Sequence, residues 1–398
     1  MLGAALLTRA VLPVSAAIVL ASCDDAAGER AGASLSGAQA VDPFAAQPDF
    51  FPLGVYFQSP RLAPEWAKLG INMIAPANGA LTRDTLARMD SLGMVVGGRI
   101  SDFVNFAGSR ETVPFMVAED EPDNAQAKED GSFGPCLSPE ELAAESSRLR
   151  ARSSGMPVLR NFGRGVVEPH WVGRGACAGR TDDYYPAAIA SADIVSFDHY
   201  PVLEGTGLER VAQGARNLRA YIAKAGGGQA QWGVIEVSAI KGGRAPTPAE
   251  VRSMAWMQII NGAKGLIFFP WHVGEDGERI REDALFADPA AVAGLKALTA
   301  EITALSPVLK AGADIRARVE SSQPHSAIAR RYRGDAYVFI VNESSQAADV
   351  AVSLDGIERA ARPEALGSAR QPQLSGSRLL DRLEPYEPKI YRMTGIGT

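Results

Sequence analysis

The chain has 398 residues, of which 46% are hydrophobic and 22% are charged, with a net charge of −6. This length allows a large barrel domain plus a smaller one, with a core that needs neither a metal nor a disulfide to fold. Acidic residues outnumber basic ones by 46 to 40, which argues against a protein whose main task is nucleic-acid binding, because that needs a basic surface. The composition also excludes collagen, a wholly disordered chain and a disulfide scaffold.

The first residues predict export. Arg9 precedes an apolar stretch, 10–21, that is too short to span a bilayer and is typical of a signal peptide. The stretch runs into Leu-Ala-Ser-Cys, ending at Cys23, which resembles a bacterial lipobox. The resemblance implies a signal peptide over residues 1–23, cleavage before Cys23, a lipid anchor on its thiol and, from Asp24, an inner-membrane location as one option. An ordinary secretory signal is the alternative.

Residues 24–48 are rich in Ala, Gly, Ser and Asp and predict a flexible tether. We therefore expect an exported lipoprotein in the periplasm or at the cell surface. In an oxidising compartment, a disulfide between Cys136 and Cys177 is favoured over two unpaired thiols.

No nucleotide or metal signature is evident. The chain has four His residues and no HxxxH, HExxH or Cys/His spacing typical of zinc, so we expect no metal centre. The first strand lacks a following G-x-G-x-x-G, and no G-x-S-x-G is present, which argues against dinucleotide binding and a serine hydrolase. We expect no cofactor.

From residue 51 onward, short β-branched or aromatic runs alternate with helical patterns. The runs are 51–57, 71–76, 93–100, 113–120, 156–162, 192–200, 231–237 and 263–271. Thr247, Pro248 and Glu250 form a capping-box sequence before the last run. Eight such repeats predict a (β/α)8 TIM barrel over residues 49–312.

The sequence pattern changes from helical to strand-like after the final helical pattern, 288–308. Short strand-like runs bounded by turns follow, without a long helix between them. We predict that residues 313–398 form a small antiparallel β-sandwich.

Active sites of these barrels lie at the C-terminal ends of the strands, so polar residues there are the candidates. Glu236 is informative, because a carboxylate in an apolar run is costly to bury unless it is used or paired. The structural alternative pairs it with a cation such as Arg99. The fourth run ends in an acidic cluster that includes Glu119 and Glu121.

Glycoside cleavage needs two carboxyl groups across the scissile bond, about 5–5.5 Å apart in retaining enzymes. The fourth and seventh strands face each other in such a barrel, so Glu121 and Glu236 are the predicted pair. Neighbouring negative charge favours a protonated Glu121, as an acid requires. Glu119 is the alternative acid, since it shares a strand face with Glu121, although Pro122 favours Glu121 by marking where the strand stops pairing.

Over about residues 50–310 this pattern resembles the clan-A glycoside hydrolases. The resemblance implies a retaining enzyme with Glu121 as acid/base and Glu236 as nucleophile. It also implies that Tyr200 hydrogen-bonds the nucleophile and that Trp271 lies under the sugar.

Two positions depart from the family pattern. Asp120 stands where the family has Asn, and Asp198 stands where many members have His. Both departures concern sugar contacts more than the reaction. Trp171 and His170 are further candidates near strand ends, because sugar rings stack on indoles. The predicted substrate contacts are Asp120, Asp198, His199, Tyr200, Trp171, Trp271, Asn161 and Arg99.

We therefore predict a retaining glycosidase that cleaves an oligosaccharide or polysaccharide at the bacterial surface or in the periplasm. A non-catalytic glycan-binding lipoprotein that uses the same cleft is the alternative. A lyase or isomerase on the same barrel is a weaker third, because it normally needs a metal or phosphate site. The sugar, the linkage, exo or endo action and the oligomeric state stay open.

Overall fold

The computed structural model describes residues 42–99, 101, 110–126, 128, 130–168, 171, 183–357 and 363–394. The predicted signal peptide and most of the predicted tether lie outside the described residues. Cys23, His170 and Cys177 do so as well.

Parallel strands form a closed barrel. They are β1 Leu53–Val55, β2 Met73–Ile74, β3 Val95–Val96, β4 Met116–Val117, β5 Val158–Phe162, β6 Ile194–Phe197, β7 Ala230–Gln231, β8 Gly233–Glu236 and β9 Leu266–Phe269. The orders β3-β2-β1-β9-β8 and β4-β5-β6-β7 are joined by a bridge between Gly98 and Met116. Because β7 and β8 are halves of one barrel strand, the cylinder has eight members, and the predicted (β/α)8 fold is confirmed.

Helices flank the barrel strands, most of them on the outside of the barrel. They are α1 Ala63–Lys68, α2 Arg83–Ser91, α3 Pro139–Arg152, α4 Tyr184–Ile189, α5 Pro201–Glu204, α6 Glu209–Lys224, α7 Pro248–Ile260 and α8 Pro289–Ala311. The capping box at Thr247 is present: its Oγ1 accepts from Glu250 N at 3.3 Å, and Glu250 Oε2 accepts from Thr247 N at 2.7 Å. This reciprocal pair satisfies backbone N–H groups that a helix start leaves unpaired, and so begins α7 here.

The last helix, α8, is long and apolar enough to span a membrane by length and composition. Its Leu298, Ile302 and Leu305 are instead buried in the same core cluster as Trp66 and Trp256. That is the pattern of a core helix in a folded barrel.

Side chains of the barrel strands alternate between the interior and the helix layer. On β8, Val234 packs with interior residues such as Met73 and Leu159, whereas Ile235 packs in the cluster that contains the helices. Glu236 is two residues beyond Val234 and therefore lies on the inward side of its strand.

A hairpin of β10 His272–Val273 and β11 Arg279–Arg281 lies between β9 and α8. Further antiparallel strands follow α8. They are β12 Ala313–Ile315, β13 Ala317–Ser321, β14 His325–Tyr332, β15 Asp335–Asn342, β16 Ala348–Leu354, β17 Pro363–Ala365, β18 Gln373–Ser375, β19 Arg378–Leu383 and β20 Pro388–Met393. They form two sheets, β12-β14-β15-β20-β17 and β13-β16-β19-β18, with an apolar core that includes Val338, Val352 and Leu379. This sandwich packs on α7, where Trp256 and Phe339 stack with ring centroids 5.5 Å apart.

Candidate active site

A cleft of about 960 Å³ opens at the C-terminal ends of the barrel strands. It is bordered by the loops after β1, β4, β5 and β6 and by a hairpin of β10 His272–Val273 and β11 Arg279–Arg281. Six of the predicted site residues line it, namely Asp120, Glu121, Trp171, Asp198, His199 and Tyr200. Four others, Asn161, Arg99, Trp271 and Glu236, lie outside its lining.

Three carboxyl groups converge in this cleft. Asp198 is 7% exposed, and burial, followed by the charges of Glu121 and Asp120, raises its pKa well above the ordinary carboxyl range. Tyr200 donates a hydrogen bond to Asp198 Oδ2 at 2.9 Å, which opposes that rise. The carboxyl groups of Asp198 and Glu121 lie within hydrogen-bond reach. Two carboxyl groups make such a bond only when one carries a proton.

A chain of hydrogen bonds holds Asp120. Asn161 Nδ2 donates to Asp120 Oδ1 at 3.0 Å, and Ser196 Oγ donates to Asn161 Oδ1 at 2.8 Å. The hydroxyl of Tyr56 also bonds Asp120, and its pKa is raised well above the usual tyrosine value, first by burial and then by that carboxylate. Asn161 therefore holds Asp120 in place from behind the cleft wall and does not line the cleft itself.

The backbone at Glu121 is strained. Its φ is 45°, in the left-handed region that residues other than glycine rarely adopt, at a cost of about 1–3 kcal/mol. The conformation coincides with a bond from Glu121 N to Asn161 O at 3.1 Å. Its carboxylate lies over Gly163, where an added Cβ would come within 3.2 Å of Glu121 Oε1. Gly163 therefore leaves room for the acidic side chain.

Glu236 makes different contacts. It is 1% exposed, its Oε1 accepts from Val202 N at 2.7 Å, and its Oε2 accepts from Leu203 N at 3.3 Å. Burial raises its pKa to about 7, and those two backbone bonds work against the rise. The charges that act on it belong to Glu250 and Arg244. The structure thus joins Glu236 to the start of α5, just after Tyr200.

The aromatic residues divide into a cleft group and a wall group. The Arg164 guanidinium lies 4.3 Å from the ring centroid of Trp171, and both residues line the cleft. Trp271 is 7% exposed and donates from Nε1 to Phe57 O at 2.9 Å, behind the lining. Arg99 lies 5.3 Å from the Phe57 ring centroid in the same wall.

His199 carries a buried nitrogen without a hydrogen-bond partner in the described part of the chain. The residue is 3% exposed, and its Nε2 has no hydrogen-bond partner among the described residues. Burial, reinforced by the charge of Arg164, lowers its pKa to about 4. The imidazole is therefore neutral near pH 7 and has one nitrogen able to accept a hydrogen bond.

Several cleft residues were missed by sequence reasoning. Tyr56, Phe133 and Arg279 line the cleft, as does the β10–β11 turn. Tyr56 lies within the first predicted strand run and so carried a positional signal. Phe133, which is 46% exposed, and the hairpin carried none, because loop positions follow from the fold alone.

Two further predictions stay open. Cys136 lies in the segment before α3, but Cys177 lies outside the described residues, so the disulfide stays a prediction. In the part of the chain that the structure describes, no group of three or more His, Cys, Asp or Glu residues is arranged to hold a metal ion.

No family model matches the sequence, and no curated protein matches it. Among solved structures, an α-amylase from Geobacillus thermoleovorans complexed with acarbose has a TM-score of 0.54 at 9% identity, covering 88% of this chain and 99% of that one. A GH30 endoxylanase from Clostridium papyrosolvens C71 has a TM-score of 0.48 at 10% identity, covering 87% and 97% of the two chains. The likeness to the α-amylase shows the fold alone: a TIM barrel followed by a C-terminal β-sheet domain.

Proposed function

We propose that the protein is a glycoside hydrolase that acts on an oligosaccharide or polysaccharide. One observation carries the proposal: the carboxyl groups of Glu121 and Asp198 meet within hydrogen-bond reach in an open cleft at the C-terminal ends of the barrel strands. Paired carboxyl groups of unlike pKa are what glycosidic bond cleavage requires. The shared fold with an α-amylase agrees with this chemistry.

In the proposed reaction Asp198 holds the proton, because burial and neighbouring negative charge favour its neutral form. Asp198 gives this proton to the glycosidic oxygen as the bond to the anomeric carbon breaks. Glu121 attacks that carbon and forms a glycosyl ester. Water, deprotonated by Asp198, then cleaves the ester, which restores both groups.

The closeness of the two groups supports retention over inversion. An inverting enzyme separates its carboxyl groups by about 6.5–9.5 Å to leave room for a water molecule, whereas a retaining enzyme holds them about 5–5.5 Å apart. Groups within hydrogen-bond reach of each other lie nearer to the retaining separation than to the inverting one.

The pair predicted from the sequence, Glu121 as acid/base with Glu236 as nucleophile, stays a rival assignment. The backbone bonds from Val202 and Leu203 to Glu236 instead support a positioning role. They hold the segment that follows Tyr200, whose hydroxyl bonds Asp198. On this view Glu236 acts on the reaction only through Tyr200.

A screen of aryl glycosides, with NMR detection of the anomer first released, tests the function. Release of the inverted anomer would overturn the retaining assignment. Binding of oligosaccharides without turnover of any glycoside would favour the glycan-binding alternative.

Three amide variants then separate the two carboxyl pairs. We expect Glu121→Gln and Asp198→Asn to lower kcat/KM about 10²–10⁴-fold, and Glu236→Gln to lower it less than about tenfold with a changed pH profile. Asp90→Asn, on the exposed side of α2, is the matched control and should leave turnover unchanged. A severe loss in Glu236→Gln with near-normal Asp198→Asn would restore the sequence-based pair.

We also propose export and a lipid anchor on Cys23, on the evidence of the lipobox-like sequence. Metabolic labelling with a fatty acid should modify the wild-type protein and leave Cys23→Ala unlabelled. A labelled Cys23→Ala protein would disprove the anchor position.

A further inference from the structure

The cleft carries an excess of negative charge. Its described lining has seven acidic residues, Asp120, Glu121, Asp198, Glu204, Glu275, Asp276 and Glu278, against three basic ones, Arg164, Lys241 and Arg279. Arg164 is already engaged in ion pairs with Glu168 and Glu204. Glu204 is thus paired, and Asp198 is neutral in the proposed reaction, so five acidic side chains of this lining remain against two basic ones for a ligand.

Three of these carboxylates form the outer rim. Glu275, Asp276 and Glu278 lie in the turn of the β10–β11 hairpin, which Gly274 N closes by donating to Glu278 O at 2.8 Å. All three are exposed, and none forms an ion pair with another described residue. A concave surface lined by one sign of charge attracts ligands of the opposite sign and repels those of the same sign.

A second observation, independent of this charge, points to a ligand in the cleft. His199 is 3% exposed and lines the cleft, and its Nε2 has no partner among the described residues. A buried polar nitrogen of this kind costs free energy unless a ligand or water satisfies it. A neutral imidazole has one donor and one acceptor nitrogen, and an amino sugar supplies groups that can pair with either.

We propose that the cleft selects a glycan of amino sugars with free, protonated amines, and rejects polymers of uronic acids or sulfated sugars. The inference rests on the proposed glycosidase function and names the substrate class of that same site. The rim carboxylates attract the ammonium groups along the chain. Trp171, stacked on Arg164, offers an aromatic face to a sugar ring.

Calorimetric titration of the full-length protein with three oligomers of equal length tests the proposal: glucosamine, N-acetylglucosamine and glucuronate. We expect the glucosamine oligomer to bind about tenfold tighter than the acetylated one at low salt. That advantage should fall to about twofold near 0.5 M salt, where charges are screened over a few ångströms. The glucuronate oligomer should bind weakest.

The triple variant E275Q/D276N/E278Q isolates the rim. It should weaken binding of the glucosamine oligomer about tenfold and change binding of the acetylated oligomer by less than about twofold. The variant D49N/D90N/E364Q changes net charge equally at exposed positions outside the cleft lining and should leave both affinities unchanged.

Equal binding of the three oligomers, tighter binding of glucuronate, or no effect of the rim variant would overturn the inference. Its failure is distinct from failure of the proposed function, which is read from turnover of glycosides and not from affinity. A protein that cleaves neutral glycosides but shows no preference for amines would lose only the substrate class.

Discussion

Two buried carboxylates in this chain have opposite surroundings. Asp381, in the sandwich, has a side chain 4% exposed and accepts hydrogen bonds from Lys389 Nζ and from the Tyr391 hydroxyl, both at 2.8 Å. Asp198, in the barrel cleft, is 7% exposed and faces two further acidic side chains, with Tyr200 as its donor.

This difference distinguishes a buried carboxylate that stabilises the fold from one in surroundings typical of an active site. A buried charge that stabilises a fold is paired and fully hydrogen-bonded, as Asp381 is. A buried acid kept among like charges is destabilising and is typical of sites that use a proton. The four predictions that follow test this contrast, beginning with the largest effect.

Asp381→Asn should lower the free energy of unfolding by about 3–5 kcal/mol, because it leaves the buried Lys389 ammonium without its counter-ion. Urea unfolding at pH 7 measures the change. Asp349→Asn, whose partner Arg382 is exposed, is the control and should cost no more than about 1 kcal/mol. Equal losses of unfolding free energy in both variants would show that burial of the Asp381–Lys389 pair does not increase its contribution to stability.

Gly163→Ala should disturb the cleft acid without unfolding the barrel. The new Cβ would lie 2.8 Å from Asn124 Nδ2 and 3.2 Å from Glu121 Oε1, so both side chains must move, at a cost of about 1–3 kcal/mol. We expect kcat/KM to fall by about tenfold or more, because displacement of about 1 Å from reacting geometry has large effects. Gly134→Ala, where the nearest atom is the flexible end of Lys128, should change neither property. Normal turnover in Gly163→Ala would show that Glu121 need not lie where it does.

Asp198→Asn should stabilise the protein near neutral pH by about 1–2 kcal/mol while lowering kcat/KM about 10²–10⁴-fold. The folded-state pKa of Asp198 lies above its unfolded value, so its contribution to stability is fully present below about pH 4 and declines as pH rises toward the folded pKa. The amide side chain does not titrate, so the variant should not show this decline in stability. Thermal unfolding between pH 4 and 8 measures it, and a variant less stable than the wild type at pH 7 contradicts the contrast with Asp381.

The smallest effects concern pH, where His199 and Glu236 act in opposite directions. The pKa of His199 is lowered to about 4, so its contribution is present above about pH 6.5 and is lost as pH falls toward 4. The pKa of Glu236 is raised to about 7, so its contribution is present below about pH 4.5 and is lost as pH rises toward 7.

Relative to the wild type, we therefore expect stability of His199→Gln to rise less, and that of Glu236→Gln to fall less, across about pH 4–7. Stability curves of the two variants that run parallel to the wild-type curve would show that neither group titrates as its burial implies.

The barrel could be predicted from local patterns in the sequence. Seven of the eight predicted runs contain the strand found there, the seventh contains β8 and the last residue of β7, and the start of α7 at Pro248 follows from Thr247 and Glu250. Trp66 and Trp256 lie in helical patterns and are fully buried. Strand alternation and helix capping depend on residues a few positions apart, so a sequence displays them directly.

The site could be predicted from the sequence only in part. The acidic cluster after β4 and Asp198 after β6 were identified as candidates, and the cleft brings them together. The sequence could not decide between Asp198 and Glu236 as the partner of Glu121, because Glu236 also occurs at a strand end and on the inward side. Its carboxylate is bound by Val202 N and Leu203 N, which depends on where α5 begins relative to β8.

By itself, then, the amino-acid order determined the number of strands, the capping of helices and the presence of acids at strand ends, since each is a property of neighbouring residues. Only the folded chain decided which acids meet, because contacts such as Asp198 with Glu121 join residues far apart in the chain. Burial and neighbouring charge, which set whether a carboxyl group holds its proton, likewise exist only once those distant loops are packed.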